Sequence, residues 1–387
     1  MNTPVYLDNA ASTPVDPAVA ALMQRLLQSP EGTANPSAGH AAGRAAAAVI
    51  EQARREVAAL IHADPGEIVF TSGATESDNL AIIGAARFRR RFGRHLVTSA
   101  IEHPAVLESC RALEAEGFQV SYVAPDDRGR VAAADIAAAL RPDTILVSLL
   151  HAHNEIGVVQ DIAAVGALCR RHGALFHVDA AQSAGRLPLD VRAQCIDLLS
   201  LSAHKLHGPK GIGALFLDRE RCRRVTPLLH GGGQERGLRP GTLPTHQVAG
   251  MGRAFALAAQ RLNEDPPRIA GLRDRLWRRL ATIPGILLNG PEQGRVCHIL
   301  NVSIPGVDGE SLRLALRELA VAGGSACTAE TGEPSPVLRR LGRSEPLALA
   351  SLRFSIGRQN TEQEIDFAAE CVHAAVERLR ALAPAEA

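Results

Sequence analysis

The chain has 387 residues, with 42 Lys plus Arg against 41 Asp plus Glu, a formal net charge of +1 and 46% hydrophobic residues. That length exceeds one small core, and so even a charge balance gives no footing for nucleic acid or an anionic membrane. The seven cysteines are scattered and never paired as Cys-x-x-Cys, which speaks against a zinc ribbon and a disulfide framework; no metal site is expected.

The start, Met1 to Asp8, has neither the basic and apolar blocks of a secretory signal nor the Arg/Ser-rich pattern of a transit peptide, and no run is apolar enough to span a bilayer. A cytoplasmic protein is expected. From Glu67 to Leu217, seven short apolar runs alternate with Ala/Leu/Arg-rich stretches: Ile68–Phe70, Leu96–Thr98, Val120–Tyr122, Ile145–Val147, Leu175–Val178, Leu198–Ser200 and Ala214–Phe216. Strands this apolar, separated by helices, predict a mostly parallel central sheet covered on both faces, in the α/β class. Such a sheet binds its ligand beyond the carboxyl ends of its strands. A long helical region follows from about Val248, broken at Asp265-Pro266-Pro267. Then come a strand at Ile299–Val302, a helix near Glu310 to Leu319, a strand at Leu352–Phe354 and a last helix from about Thr361. The expected division is a large domain at 16–260 and a smaller α+β domain made of 1–15 plus 261–387.

Three strand ends carry residues suited to chemistry. Thr71-Ser72-Gly73-Ala74-Thr75-Glu76-Ser77 joins a strand to a helix through small residues, so free N–H groups of the first turn can hold a phosphate; a plain helix cap is the alternative. The glycine spacings of a P-loop or a dinucleotide site are absent. Asp179 ends an apolar strand, where a carboxylate needs a cation or several hydrogen bonds. A protonated pyridine nitrogen would serve, and capping the next helix is the other reading. Ser202-Ala203-His204-Lys205 completes the set, Ser202 and His204 being able to share the phosphate with Ala74 and Thr75. Lysine occurs only at Lys205 and Lys210; everywhere else the cation is arginine. A retained lysine suggests a need for an amine that can lose its proton and form an imine.

In order and spacing, Ser72–Asn79, Glu102-His103, Asn154–Gly157, Asp179-Ala180 with Gln182, Ser202–Lys205, Gly232–Arg236, Arg239–Thr242 and Ser325–Thr328 resemble the cysteine desulfurases of the NifS and IscS branch. These belong to the class V aminotransferase-like, fold-type I pyridoxal-phosphate enzymes. The resemblance runs from Tyr6 to the last helix. It implies that Lys205 bonds the cofactor pyridoxal 5'-phosphate, Asp179 pairs its pyridine nitrogen, Gln182 and Asn154 hydrogen-bond its ring oxygen, and His103 stacks on the ring as a catalytic group. Ala74, Thr75, Ser202 and His204 would hold the phosphate, with Thr242 entering from a second subunit of a homodimer with shared active sites. Arg353 would clamp the carboxylate of the substrate L-cysteine with Asn154 and Asn35; a strand-edge ion pair is the bland alternative for Arg353.

Cys327, in a small, polar Gly/Ser/Ala/Thr stretch, would take the sulfur as a persulfide and pass it to an acceptor protein, for iron–sulfur cluster assembly, tRNA thiolation or DNA sulfur modification. Cys222, among arginines, is the other cysteine outside a helix or strand pattern. A selenocysteine lyase, another class V transaminase or lyase, and a non-catalytic scaffold of the same fold are the competing readings. Two departures from the family pattern stand out: Ala322-Gly323-Gly324 before Ser325, and His153 where a second asparagine is common, at a position suited to proton transfer.

Overall fold

The computed structural model describes residues 4–222, 224–323 and 333–382. Strand β1 (Val5–Tyr6) opens the chain. The seven apolar runs become β2 (Ile68–Thr71), β3 (His95–Ser99), β4 (Gln119–Val123), β5 (Thr144–Leu150), β6 (Leu175–Asp179), β7 (Leu198–Ser202) and β8 (Gly213–Leu217). They form one sheet in the order β2-β8-β7-β6-β5-β3-β4. Only β8 runs against its neighbours; the other six point the same way.

Both faces of this sheet are apolar because successive side chains point to opposite sides. Phe70, Val147, Phe176, Leu199 and Phe216 face a core built with the helices Ala41–Leu60, Ile162–His172 and Thr245–Gln260. Val69, Leu146, Leu175, Leu198 and Leu215 face another, with Leu80–Ala86 and the helix Pro104–Ala115. Gly252 permits the close approach of Thr245–Gln260 to Ala41–Leu60, since a Cβ there would lie 2.5 Å from the Ala53 Cα.

Edge strand β2 would leave backbone groups unpaired. A buried ion pair covers them: both Arg54 Nη atoms donate to the Glu235 carboxylate at 2.8 Å, Glu235 Oε2 accepts the Phe70 N–H at 2.7 Å, and Arg54 Nη1 donates to the Ile68 carbonyl at 2.9 Å.

A third core gathers around β9 (Leu287–Leu288), β10 (Ile299–Ser303) and β12 (Ser351–Ser355), which pair antiparallel in the order β12-β10-β9. The helices Asp265–Leu280 and Glu362–Leu382 supply Ile269, Leu272, Leu276, Ile365 and Val372 to it, and Val5 and Leu7 join from the start of the chain. Pro266 and Pro267 fall in the first turn of Asp265–Leu280, where a missing N–H costs nothing, so they begin the helix. The helix expected up to Leu319 stops at Ala315 instead. Leu319–Ala320 forms β11, parallel to β1, because its backbone finds partners there: the Val5 N–H donates to the Glu318 carbonyl and the Leu7 N–H to that of Ala320.

Candidate active site

The carboxyl ends of β6 and β7, the turn after β2 and residue Arg353 of β12 meet at a cavity of about 500 Å³. Of the residues singled out in the sequence, Ala74, Thr75, His103, Asn154, Asp179, Gln182, Ser202, His204, Lys205 and Arg353 line it. Thr242 and Asn35 do not. Thr242 is exposed. Asn35 is turned away from the cavity, its Oδ1 accepting the Ser37 N–H at 2.9 Å across Pro36 in an exposed turn. Cys327 lies outside the described residues.

At one end of the cavity, the helix starting at Ala74 has no side chain capping its first turn, so its leading N–H groups face the space beyond Gly73. Close stacking of strand ends shapes this corner: a Cβ on Gly213 would stand 2.6 Å from the Gly73 Cα. Ser202 Oγ is buried there without a hydrogen-bond partner. Burial, with the charges of Lys205 and Lys210, lowers His204 to about 4, so it meets an anion as a neutral N–H donor. An orphan hydroxyl, a neutral imidazole and an uncapped helix start are groups suited to hold a phosphate.

Asp179 is 8% exposed, and its Oδ1 accepts the Ala181 N–H at 2.9 Å. No cation among the described residues lies within ion-pair distance of it, so the carboxylate suits a cationic ring nitrogen. Nearby Asp78 and Glu102 are buried, and burial drives Asp78 well above the ordinary carboxyl range and Glu102 to about 8, which favours their neutral forms. The sequence reading missed Asp78; it sits inside the Ser-Gly-Ala-Thr-Glu-Ser-Asp-Asn run, one helical turn past Thr75, with its Oδ1 3.5 Å from His177 Nε2 and not among the cavity-lining residues.

The Lys205 amine donates to the carbonyls of Ala10 and Ala11 at 2.5 and 2.8 Å. Burial, then the charges of Arg353 and Arg186, lower it to about 8, poised to give up a proton near neutrality. Lys210 reaches the same cavity from an exposed turn. His103 caps the helix Pro104–Ala115, its Nδ1 accepting the Ala105 N–H at 3.1 Å, which leaves Nε2 to carry the proton. Burial lowers its pKa, keeping the ring neutral.

Arg353, 1% exposed, is held by Asp8 Oδ1 at 2.8 Å and the Asn154 carbonyl at 3.0 Å, while its Nε has no partner. It is therefore both an ion pair and a cavity wall; the two sequence readings are compatible. His153 does not line the cavity: it is buried, its Nδ1 accepts the Glu155 N–H at 3.0 Å, and burial lowers it to about 3.

None of the six described cysteines lines the cavity. Cys222, a loop candidate by sequence, is buried among apolar side chains with its thiol pushed up to about 12, as are those of Cys110 and Cys169.

An uncapped helix start for a phosphate, a lone buried carboxylate for a ring nitrogen and a low-pKa lysine between them fit pyridoxal phosphate, and they define a pyridoxal-phosphate enzyme of mixed α/β fold. The aminotransferase class-V family profile matches residues 5–367, and the chain belongs to that family. It is 54% identical over 385 residues to cysteine desulfurase IscS of Shewanella woodyi, covering 99% of this chain and 95% of that one, which places it among the IscS-type members. Among solved structures, a NifS-like protein superposes with a TM-score of 0.90 at 34% identity, covering 97% of this chain and 100% of its own. SspA in complex with cysteine superposes with a TM-score of 0.81 at 39% identity, over 91% and 98%.

Proposed function

We propose that this enzyme is an L-cysteine desulfurase, converting cysteine to alanine and placing the sulfur on Cys327 as a persulfide for an acceptor protein. The observation that carries the reading is the meeting of Lys205, Asp179 and the buried Arg353 guanidinium in one cavity, in a chain more than half identical to a cysteine desulfurase over nearly its whole length.

Pyridoxal phosphate, when bound, supplies an electron-poor ring that takes up the charge developing at the substrate Cα. Ala74, Thr75, Ser202 and His204 would hold its phosphate, Asp179 its ring nitrogen, Gln182 and Asn154 its ring oxygen, and His103 would cover the ring. Arg353 binds the substrate carboxylate through its planar guanidinium, which Asp8 keeps in place. The Lys205 amine takes the proton from Cα and returns one to the carbon skeleton. The Cys327 thiolate attacks the substrate sulfur: a sulfur–sulfur bond forms as the Cβ–S bond breaks, and the departing pair stays with carbon, which gains a proton to become alanine. Six other cysteines held away from the cavity leave this task to Cys327.

Thr242, exposed and not among the residues lining its own cavity, is assigned to the phosphate site of the partner in a homodimer. The clusters on the two faces of the large sheet and the one around β10 and β12 support domains at 16–260 and at 1–15 with 261–387, joined by a smaller cluster in which Ile101, Ile156 and Val158 meet Val337 and Leu338. No described helix is long and apolar enough to cross a membrane, and a reducing cytoplasm suits a thiol that must stay free.

The test is to incubate the pyridoxal-phosphate-loaded protein with L-cysteine and a thiol reductant, and to quantify alanine and sulfide. Equal yields are expected, with both lost in Cys327→Ser. Sulfide release at the full rate from Cys327→Ser would remove the persulfide step.

A further inference from the structure

Behind the cavity wall, His298 at the start of β10 is completely buried, and its Nε2 lies 3.0 Å from Gln182 Oε1. The Gln182 amide nitrogen donates to the Ala10 carbonyl at 2.9 Å. His298 Nδ1 is buried with no hydrogen-bond partner. These contacts have one consistent solution. An unpaired ring N–H in the interior costs more than an unpaired lone pair, and a flipped amide would set two carbonyl oxygens against each other at Ala10. The imidazole therefore carries its proton on Nε2 and donates it to Gln182 Oε1. Burial, with the charges of Arg186, Arg353, Lys205 and Arg273, keeps the ring neutral and so limits it to that one proton.

We propose that His298 is a positioning residue: by holding the Gln182 side-chain oxygen, it fixes the amide so that the nitrogen faces the cavity and offers its second N–H to the ring oxygen of the cofactor. Of the two Gln182 amide protons, one goes to Ala10, and the other has no protein partner among the described residues. Without the histidine, the Ala10 carbonyl alone holds the amide, and the second N–H is no longer fixed toward the ring oxygen. The inference rests on the assignment of Gln182 to that oxygen.

The experiment follows the pH midpoint of the visible absorbance of bound pyridoxal phosphate in the holoenzyme, for wild type, Gln182→Ala, His298→Leu, His298→Asn and the double variant Gln182→Ala/His298→Leu. Loss of a donor to the ring oxygen makes it more basic, so the midpoint rises. Gln182→Ala and His298→Leu are each expected to raise it by roughly half a pH unit or more, the double variant no further than Gln182→Ala alone, and His298→Asn, which keeps an N–H donor, to return it to within about 0.2 units of wild type. A shift in Gln182→Ala with none in His298→Leu, or additive shifts in the double variant, would overturn the role of His298 while sparing that of Gln182. No shift in Gln182→Ala would overturn both. If His298→Leu gives no soluble holoenzyme, His298→Met carries the same comparison.

Discussion

The rim of the seven-stranded sheet and the N-terminal segment Leu7–Asp16 enclose the same cavity by different means. The rim contributes side chains, each at the end of its own strand: Asp179 closes β6, Ser202 closes β7, and His204 and Lys205 follow directly. The N-terminal segment contributes mainly backbone. Ala10 and Ala11 hold the Lys205 amine with their carbonyls, and Thr13 bridges the lysine loop by donating to the His204 carbonyl at 2.9 Å and accepting the His207 N–H at 2.7 Å. Side-chain chemistry leaves a trace in residue type, whereas a backbone carbonyl looks alike at every position.

Four measurements bear on this contrast. The largest effect is expected at the rim: Lys205→Ala should lower alanine formation by at least about a thousandfold, while Lys210→Ala, on an exposed turn, should stay within about threefold of wild type. Loss of activity in Lys210→Ala instead would reverse the assignment.

Arg353 joins the two regions, being a side chain on β12 braced by Asp8. Arg353→Lys should raise the KM for cysteine roughly 10- to 100-fold, because one ammonium cannot replace a planar guanidinium held on two sides; steady-state kinetics across cysteine concentrations read the split between KM and kcat.

The lysine amine also links the regions through pH. Its folded pKa of about 8 lies below the ordinary 10.5, so between these values the unfolded chain binds more protons than the folded one. Stability of the cofactor-free protein should therefore rise with pH across that window, by about 2 kcal/mol relative to Lys205→Met, in parallel urea titrations at pH 7.5 and 10.5. A flat difference would mean that the Ala10 and Ala11 carbonyls hold the amine charged.

The smallest effect falls on the strap itself. Thr13→Val keeps the shape of a buried residue and removes both hydrogen bonds, so it should cost about 1–2 kcal/mol of stability with pyridoxal-phosphate affinity reduced only a few-fold. Urea midpoints and cofactor titration check it.

By itself the sequence determined the architecture of the large sheet, because all seven of its strands are short apolar runs bounded by turn residues and helices. It also marked residues that line the cavity, since a strand-end aspartate, a small-residue turn and a lysine in a chain of arginines are local patterns. The tertiary structure decided which pieces of distant chain complete the site. Asp8 and Arg353 are 345 residues apart, and Gln182 and His298 are separated by 116. Nothing local marks Leu319–Ala320 as a strand rather than the end of a helix until β1 lies beside it. His153 could be read as a proton carrier until its burial and its contact with Glu155 made it a neutral, structural ring. These outcomes depend on desolvation and on partners brought together by folding, and neither is a property of neighbouring residues in the chain.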